Sequence, residues 1–122
     1  MKILIAEDNS MNQYLMSRYM SRLGWEFSIV ENGRQAVNAC KEVEFNAILM
    51  DIDMPVLNGI EASRQIRIFN KKIPIIAITA YADENMRTDC AGAGMNAFLA
   101  KPCSRDDIND VITECIGISV LT

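Results

Sequence analysis

Short runs of apolar residues alternate with longer segments of mixed polarity five times along the chain. The runs are rich in Ile, Leu and Val and are bounded by turn residues, which is typical of buried β-strands. Three of them are almost continuously apolar, as expected of central strands that are covered on both faces. The predicted strands are Lys2–Ala6, Glu26–Val30, Ala47–Met50, Ile73–Thr79 and Ala97–Ala100.

The segments between these runs repeat apolar side chains at helical spacing. The first segment stops at Gly24, a residue suited to the position after a helix. Asn58 and Ser104 are favourable N-terminal caps for the third segment and the last. Asp106 and Asp107 in the first turn of the last segment suit the positive end of the helix dipole. The predicted helices are Asn9–Leu23, Gly33–Val43, Asn58–Phe69, Asp83–Ala91 and a final helix capped by Ser104.

Alternating strands and helices predict an α/β fold in which a parallel sheet has helices on both faces. The 122 residues suit one domain with a single core, and no repeat, low-complexity segment or linker divides them. In such sheets, functional sites lie at the carboxyl ends of the strands, where the strand order reverses. We therefore expect the chemistry of this chain at that edge.

Composition narrows the class of protein. Half of the residues are apolar and 23% are charged, so the chain is globular rather than disordered. The net charge of −4 and the absence of a basic run argue against direct binding of nucleic acid. No apolar stretch approaches the roughly 20 residues of a membrane span, and Glu7 comes too early for a signal peptide. Four cysteines without metal-type spacing favour a reduced cytoplasmic protein.

The chain contains no histidine. This excludes Ser-His-Asp and Cys-His catalysis, a histidine metal cage and a phosphohistidine intermediate on this chain. Any chemistry must therefore use carboxylates, hydroxyls, lysine or a metal.

Polar residues close four of the five predicted strands. Each of them alone is most simply interpreted as a solvated loop residue, because charged residues normally lie in loops. This interpretation is poor for the whole set, since the carboxyl ends of parallel strands meet at one edge of the sheet. The set consists of Glu7 and Asp8 after the first strand, Asp51 after the third, Thr79 at the end of the fourth and Lys101 after the fifth.

Three carboxylates held together would repel one another and raise one another's pKa values. A hard divalent cation such as Mg²⁺ relieves this repulsion, because its preferred ligands are carboxylate and water oxygens. Lys101 can pair with Asp51 and also bind an anionic oxygen, and Thr79 can donate a hydrogen bond to the same anion. Such a site suits the formation of an aspartyl-phosphate, since carboxylates serve as phosphoryl acceptors.

Four ordered motifs make the sequence similar to response-regulator receiver domains over about residues 2–117, so that residues 1–122 would form a single receiver domain. The motifs are "ILIAEDN", "ILMDIDMPVLNG", "IIAITA" and "FLAKP". "EDNSMNQ" and "MPVLNG" most resemble the receivers of hybrid sensor histidine kinases. The resemblance implies a flavodoxin-like sheet with the strand order 2-1-3-4-5.

The resemblance also implies a role for each acid at the strand ends. Asp51 matches the phosphoacceptor. Asp8 matches the acid that binds the metal directly, and Glu7 the acid that acts mostly through water. The backbone carbonyl of Asp53 is expected as a further ligand of Mg²⁺, for which Mn²⁺ can substitute.

Three other positions match the residues that bind the phosphoryl group and transmit its presence. Thr79 and Lys101 correspond to the pair that binds the phosphoryl oxygens, and Phe98 to the aromatic residue that moves inward with Thr79. The bond between Lys101 and Pro102 is expected to be cis. Asp53 and Tyr81 match positions that flank the phosphoryl group and tune its hydrolysis, although Asp53 could equally be an ordinary solvated carboxylate.

The implied function is that of a signalling phosphoacceptor rather than an enzyme, with only self-directed phosphotransfer and slow autodephosphorylation. A sensor histidine kinase or a histidine phosphotransfer domain would supply the phosphoryl group. Output would pass through the face formed by the fourth helix, the fifth strand and the fifth helix, and phosphorylation could drive formation of a homodimer. The first helix carries more apolar area than one core-facing stripe requires, which makes donor docking plausible, although ordinary core packing explains part of it. The residues concerned are Met11, Tyr14, Met16, Tyr19 and Met20.

Two other functions have partial support in the sequence or the predicted fold. Asp51-x-Asp53 resembles the nucleophile motif of haloacid-dehalogenase-type phosphatases, in which the second aspartate is the general acid and base. In that family, however, the nucleophile follows the first core strand, the metal acids follow the lysine, and a cap domain needs more residues. A dinucleotide-binding module is not favoured, because no G-x-G-x-x-G follows the first strand.

Overall fold

Five strands alternate with five helices in the computed structural model, which describes the backbone of residues 1–121 and the side chains of residues 1–117. The alternation is the predicted one. The elements are β1 (Lys2–Ala6), α1 (Ser10–Leu23), β2 (Glu26–Val30), α2 (Gly33–Glu42), β3 (Ala47–Asp51), α3 (Gly59–Phe69), β4 (Ile75–Thr79), α4 (Glu84–Gly92), β5 (Ala97–Ala100) and α5 (Arg105–Leu121).

The strands form one parallel sheet in the order β2-β1-β3-β4-β5, which confirms the predicted architecture. The chain moves outward in one direction from β1 to β2 and in the other from β3 to β5. The order therefore reverses between β1 and β3, and the carboxyl ends of these two strands flank a crevice. Asp51 lies opposite Ile78 in this sheet, and Thr79 lies opposite Ala100.

Most differences from the predicted bounds have a local cause. β4 begins at Ile75 rather than Ile73, because Pro74 has no N–H with which to continue the ladder, although its carbonyl accepts from Ile48. Three residues at the starts of the predicted helix ranges are N-terminal caps; this was predicted for Asn58, whereas Asn9 and Asp83 were predicted as helical residues. Asn9, Asn58 and Asp83 accept hydrogen bonds from backbone N–H groups of the first turns of α1, α3 and α4.

The remaining differences concern one residue each. β3 extends to Asp51, so the predicted acceptor is the last residue of the strand instead of the first of the loop. α2 ends at Glu42, with Val43 as its C-terminal cap, and α4 continues to Gly92. Ser104 caps α5 as predicted, because its hydroxyl accepts from the N–H of Asp107 at 3.1 Å.

The sheet separates two clusters of buried apolar side chains. The first cluster lies between the sheet and α2, α3 and α4, and includes Leu4, Met50, Ala62 and Ile66. The second cluster lies between the other face and α1 and α5. Its helical members are Met16, Met20, Ile108 and Ile112. No helix in the described part of the chain combines the length and apolar character needed to cross a membrane.

Two glycines bring the loop between β3 and α3 close to the rest of the protein. The N–H of Gly59 donates to the carbonyl of Ile52 at 3.0 Å, and a Cβ atom at Gly59 would lie 2.2 Å from the carbonyl oxygen of Asp51. A Cβ atom at Gly33 would lie equally close to the carbonyl oxygen of Leu57. The end of β3 is therefore held directly against the start of α3.

A tight turn in the same loop is centred on Val56. The N–H of Leu57 donates to the carbonyl of Pro55 at 2.7 Å, and Val56 has φ = 68°. This three-residue turn is strained for a β-branched side chain. Val56 is also 79% exposed, so burial of its side chain does not compensate for the strain.

Candidate functional site

Three acids meet at the carboxyl ends of β1 and β3. One carboxylate oxygen from each of Glu7, Asp8 and Asp51 lies within 4.8 Å of the others. Glu7 and Asp51 are 3% and 4% exposed, whereas Asp8 is exposed. The donor set consists only of hard carboxylate oxygens, with one side open to water, and it fits a divalent cation of the Mg²⁺ type. The predicted acid cluster is therefore present.

Lys101 links two of these acids. Its Nζ lies 3.2 Å from Asp51 Oδ2 and 3.3 Å from Glu7 Oε2. Burial alone would lower the pKa of Lys101, but the adjacent Asp51 and Glu7 carboxylates outweigh this effect and the pKa is raised. Lys101 is therefore a cation at neutral pH, fixed beside the predicted acceptor.

The electrostatic environment of Asp51 disfavours its negative charge. Burial raises the pKa of Asp51, and the neighbouring Glu7 raises it further, while Lys101 acts in the opposite direction. The result is a pKa of about 7 instead of 3.8. A divalent cation in the cluster would favour the ionised and nucleophilic form of Asp51.

Two residues of α1 hold Glu7 in place, and the sequence did not single them out. Asn12 Nδ2 donates to Glu7 Oε1 at 3.2 Å, and Gln13 Nε2 donates to the Glu7 carbonyl at 2.7 Å. The backbone N–H of Asn9 also donates to Glu7 Oε1. A signal for these contacts was present in the sequence. Asn12 and Gln13 lie in the first turns of the helix predicted to start at Asn9, directly after Glu7 and Asp8. The contacts from Asn9 and Asn12 orient the buried Glu7 carboxylate, whose other oxygen pairs with Lys101.

Thr79 ends β4 and is fully buried. Its Oγ1 accepts a hydrogen bond from the N–H of Tyr81 at 3.0 Å, and its carbonyl accepts from the N–H of Lys101 at 2.8 Å. The second bond joins the carboxyl ends of β4 and β5. Thr79 and Lys101 are thus held at the same edge, as predicted, while Tyr81 is 64% exposed beside them.

Asp53 differs from the three clustered acids. Its side chain is exposed and does not belong to the acid cluster of the described residues. Its backbone N–H donates to Asp51 Oδ1 at 3.3 Å. The main chain of Asp53 therefore helps to orient Asp51, and the proposed contribution of its carbonyl to a metal site stays a prediction.

Phe98 lies on β5, in contact with the first core cluster, and its ring is half-buried. The guanidinium carbon of Arg87 on α4 lies 4.7 Å from the ring centroid, a cation–π contact that the sequence did not suggest. The Lys101–Pro102 bond is cis, as predicted.

The apolar residues of α1 divide between core and surface. Met16 and Met20 are buried in the second cluster, so core packing accounts for these two residues and they do not form part of a docking surface. Met11 and Tyr14 are 80% and 65% exposed. A groove of about 530 Å³ runs along this side of the protein between α1 and the start of α5, and Tyr14, Leu15, Tyr19 and Ser104 contribute to its lining.

The sequence matches known proteins over most of its length. Residues 3–113 match the family model described as the response regulator receiver domain. The osmosensing histidine protein kinase SLN1 of Saccharomyces cerevisiae is 35% identical over an alignment of 120 positions, which covers 93% of this chain and 10% of that protein. The chain therefore spans about a tenth of the length of this curated relative.

Two solved structures are similar in both sequence and fold. The receiver domain of the sensor histidine kinase PA1611 from Pseudomonas aeruginosa PAO1, which has magnesium coordinated in its active-site cleft, is 40% identical with a TM-score of 0.90. The match covers 95% of this chain and 97% of that one. The co-crystal structure of the Saccharomyces cerevisiae phosphotransfer protein Ypd1 with the receiver domain of Ssk1 gives 31% identity and a TM-score of 0.91, covering 98% and 90%.

Proposed function

Because this chain belongs to the response regulator receiver domain family, we propose that it accepts a phosphoryl group from a phosphohistidine donor on Asp51. One observation carries the assignment to that residue. Asp51 is a buried carboxylate that lies beside Lys101 Nζ and within the cluster formed with Glu7 and Asp8. Glu7 shares these features, but its Oε1 already accepts hydrogen bonds from the Asn9 N–H and from Asn12 Nδ2. The neighbouring Asp53 has an exposed side chain outside the cluster.

Mg²⁺ is the metal that the site suits, and Mn²⁺ has similar preferences for oxygen ligands. Asp8 and Asp51 would hold it directly, with the carbonyl of Asp53, while Glu7 would act mainly through bound water. When bound, the ion would neutralise charge on the transferring phosphoryl group and on the acids. The magnesium in the cleft of the PA1611 receiver domain supports this assignment.

Side chains of the site would carry out the transfer and bind the transferred phosphoryl group. A carboxylate oxygen of Asp51 attacks phosphorus, and the P–N bond to the donor histidine breaks, so that the donor imidazole leaves with that electron pair. Lys101 can then exchange its contact with Asp51 for one with a phosphoryl oxygen. The hydroxyl of Thr79 would donate to another phosphoryl oxygen, and Phe98 would move inward into the space that Thr79 leaves.

The family membership does not support the phosphatase alternative. Asp51 ends the third strand, whereas the phosphatase nucleophile follows the first core strand. Glu7 also precedes Lys101 in the chain, whereas the metal-binding acids of the phosphatases follow the lysine. We propose that hydrolysis is limited to slow loss of the phosphoryl group from Asp51 itself. Asp53 and Tyr81 would set the rate of that loss.

We further propose a histidine phosphotransfer domain or a sensor histidine kinase as the donor. The complex of Ypd1 with the Ssk1 receiver domain and the similarity to SLN1 support this class of partner. The donor would dock on the exposed side of α1, where Met11, Tyr14 and Leu15 lie. Output would use α4, β5 and α5, either with another protein or with a second copy of the chain.

We propose that residues 1–122 form one receiver domain with its core in about residues 2–117, and that it acts in the cytoplasm. The match of the family model to residues 3–113 supports the domain bounds. Burial raises the pKa values of the Cys40, Cys90 and Cys103 thiols, which suits cysteines that stay reduced and unreactive.

The proposal is tested by incubating the protein with Mg²⁺ and either acetyl phosphate or a phosphohistidine-bearing phosphotransfer protein. We expect one phosphoryl group per chain, labile to hydroxylamine as an acyl phosphate is, and mapped to Asp51 by reductive trapping and mass spectrometry. Omission of Mg²⁺ should remove the label. A label on a different residue, or repeated release of phosphate from simple monoesters, would contradict the proposed function.

Asp53→Asn should lengthen the half-life of the aspartyl-phosphate severalfold. An exposed carboxylate two residues after the acceptor can take a proton from the attacking water, whereas an amide cannot. Loss of label is followed after removal of the donor, at saturating Mg²⁺ so that a changed metal affinity does not contribute. Asp110→Asn, which removes an exposed acid of α5, serves as the control. Equal half-lives for Asp53→Asn and wild type would remove Asp53 from the tuning role.

A further inference from the structure

The contact between Arg87 and Phe98 joins two elements of the proposed output face. Arg87 lies in the first turns of α4, and Phe98 lies on β5. The guanidinium is 4.7 Å from the ring centroid, within the distance at which a cation is attracted to an aromatic face. The ring itself is half-buried, with the first core cluster on its inner side.

Arg87 makes this contact although carboxylates are available on its own helix. Asp83 and Glu84 precede it by four and three residues, the spacing at which an arginine commonly forms an ion pair. Among the described residues, no ion pair joins Arg87 to either acid. The guanidinium lies over the ring instead.

A cavity adjoins this pair. It has a volume of about 290 Å³, lies between α4 and β5, and is lined by Arg87, Met95, Asn96 and Phe98 among others. The buried Cys90 and the partly buried Met86 supply apolar contacts of α4 with the first core cluster. The cation–π contact adds to them a direct link between the start of α4 and β5.

From these contacts we propose that Arg87 is a positioning residue that holds Phe98 in its half-exposed orientation and so opposes the inward movement of the ring. The inference rests on the proposed function, in which Phe98 moves inward after phosphorylation of Asp51. A ring that moves inward leaves the guanidinium behind. The energy of the contact then adds to the cost of reaching the phosphorylated conformation, and a change at Arg87 shifts the balance between the two conformations.

The test compares the affinity for beryllofluoride, a phosphoryl mimic, in the presence of Mg²⁺. Arg87→Met keeps an unbranched side chain about as long as the stem of arginine but removes the guanidinium and its charge. This variant should bind beryllofluoride about two- to fivefold more tightly than wild type, the ratio that an exposed cation–π contact is worth. Arg87→Lys retains a cation and should stay close to wild type. Arg22→Met removes an exposed arginine of α1 and serves as the charge control.

A double-mutant cycle separates this effect from a general loss of structure. In a Phe98→Leu background no ring remains, so Arg87→Met should leave the affinity unchanged. Nuclear magnetic resonance gives a direct check, because the side-chain protons of Arg87 should be shifted upfield by the ring in the protein without beryllofluoride, and this shift should vanish in Phe98→Leu.

Each result has a defined meaning. Equal affinities of wild type and Arg87→Met, or an effect of Arg87→Met that persists without the Phe98 ring, would overturn the role of Arg87 while leaving the proposed function intact. If wild type neither binds beryllofluoride nor accepts a phosphoryl group on Asp51, the proposed function fails and the role of Arg87 fails with it.

Discussion

Asp51→Asn is expected to abolish phosphoryl acceptance and, in the same protein, to raise the melting temperature at about pH 8. The amide is no nucleophile, so no label from acetyl phosphate should remain. The gain in stability has a separate cause: burial and Glu7 hold the pKa of Asp51 at about 7, so its ionised form is disfavoured in the folded state. An uncharged side chain of the same shape removes that penalty.

The gain depends on pH with a defined sign. Unfolded, Asp51 titrates near 3.8, whereas in the folded protein it titrates near 7. Between these values the folded state binds a proton that the unfolded state has released, so this group lowers the free energy of unfolding as the pH rises from about 4 to about 7. The variant should lack this contribution, and its advantage over wild type should be full above pH 7 and absent below about pH 4.

The size of the effect follows from the two pKa values. Their difference corresponds to roughly 4 kcal/mol as an upper bound. Because Asp51→Asn also weakens the contact with Lys101, we expect a gain of about 1–3 kcal/mol and a rise in melting temperature of about 5–10 °C. Asp8→Asn should give a smaller rise, since Asp8 is exposed.

Thermal unfolding in a chelator and in excess Mg²⁺ measures both effects. Mg²⁺ should stabilise wild type more than either variant, because a cation that binds only the folded state adds stability in proportion to its affinity. Asp110→Asn makes the same chemical change on the exposed surface of α5 and should follow wild type. Unchanged or lower melting temperatures in both site variants would refute the repulsive acid cluster.

Gly59→Ala should destabilise the protein by about 2–4 kcal/mol and reduce phosphoryl acceptance at the same time. The added methyl group would lie 2.2 Å from the carbonyl oxygen of Asp51, and neither strand nor helix can yield without moving the acceptor. Urea denaturation gives the stability, and labelling with acetyl phosphate gives the activity.

Gly92→Ala is the matched control for this substitution. Gly92 ends α4, and a Cβ atom there would contact nothing within 4 Å. Alanine should be neutral or slightly stabilising at that position. Equal stabilities of Gly59→Ala and Gly92→Ala would mean that the close approach of α3 to β3 does not fix the position of Asp51.

Elements whose causes are local could be predicted from the sequence. The strands followed from short apolar runs, and two caps followed from Asn58 and Ser104, each of which accepts from an N–H three residues later. Asn9 and Asp83 cap α1 and α4 in the same way and are residue types that favour caps. The acids at the strand ends could be grouped because a parallel sheet brings its carboxyl ends together. Such arguments need no knowledge of side-chain contacts.

Contacts between distant elements could not be predicted in this way. Arg67 of α3 donates to the carbonyl of Gly94 and to Asn96 Oδ1, and so closes the gap between α3 and the start of β5. The ring of Phe98 lies beneath Arg87 because of how α4 packs on the sheet. Asp83 lies four residues before Arg87, at a spacing that suits an ion pair, yet the guanidinium lies over the ring.

The sheet separates the core cluster beside Phe98 from the one beneath α1, and this bears on transfer of the phosphoryl group between a docked donor and Asp51. Phe98 contacts the first cluster, whereas Met16 and Met20 anchor α1 in the second, on the opposite face. A movement of Phe98 would therefore leave the surface of α1 as it was, and a docked donor would meet the same partner before and after transfer. On the proposed function, docking on α1 would therefore not distinguish forward from reverse transfer. The direction of the signal would depend on the phosphoryl-transfer free energies of the donor and of Asp51 and on the amounts of each that are phosphorylated.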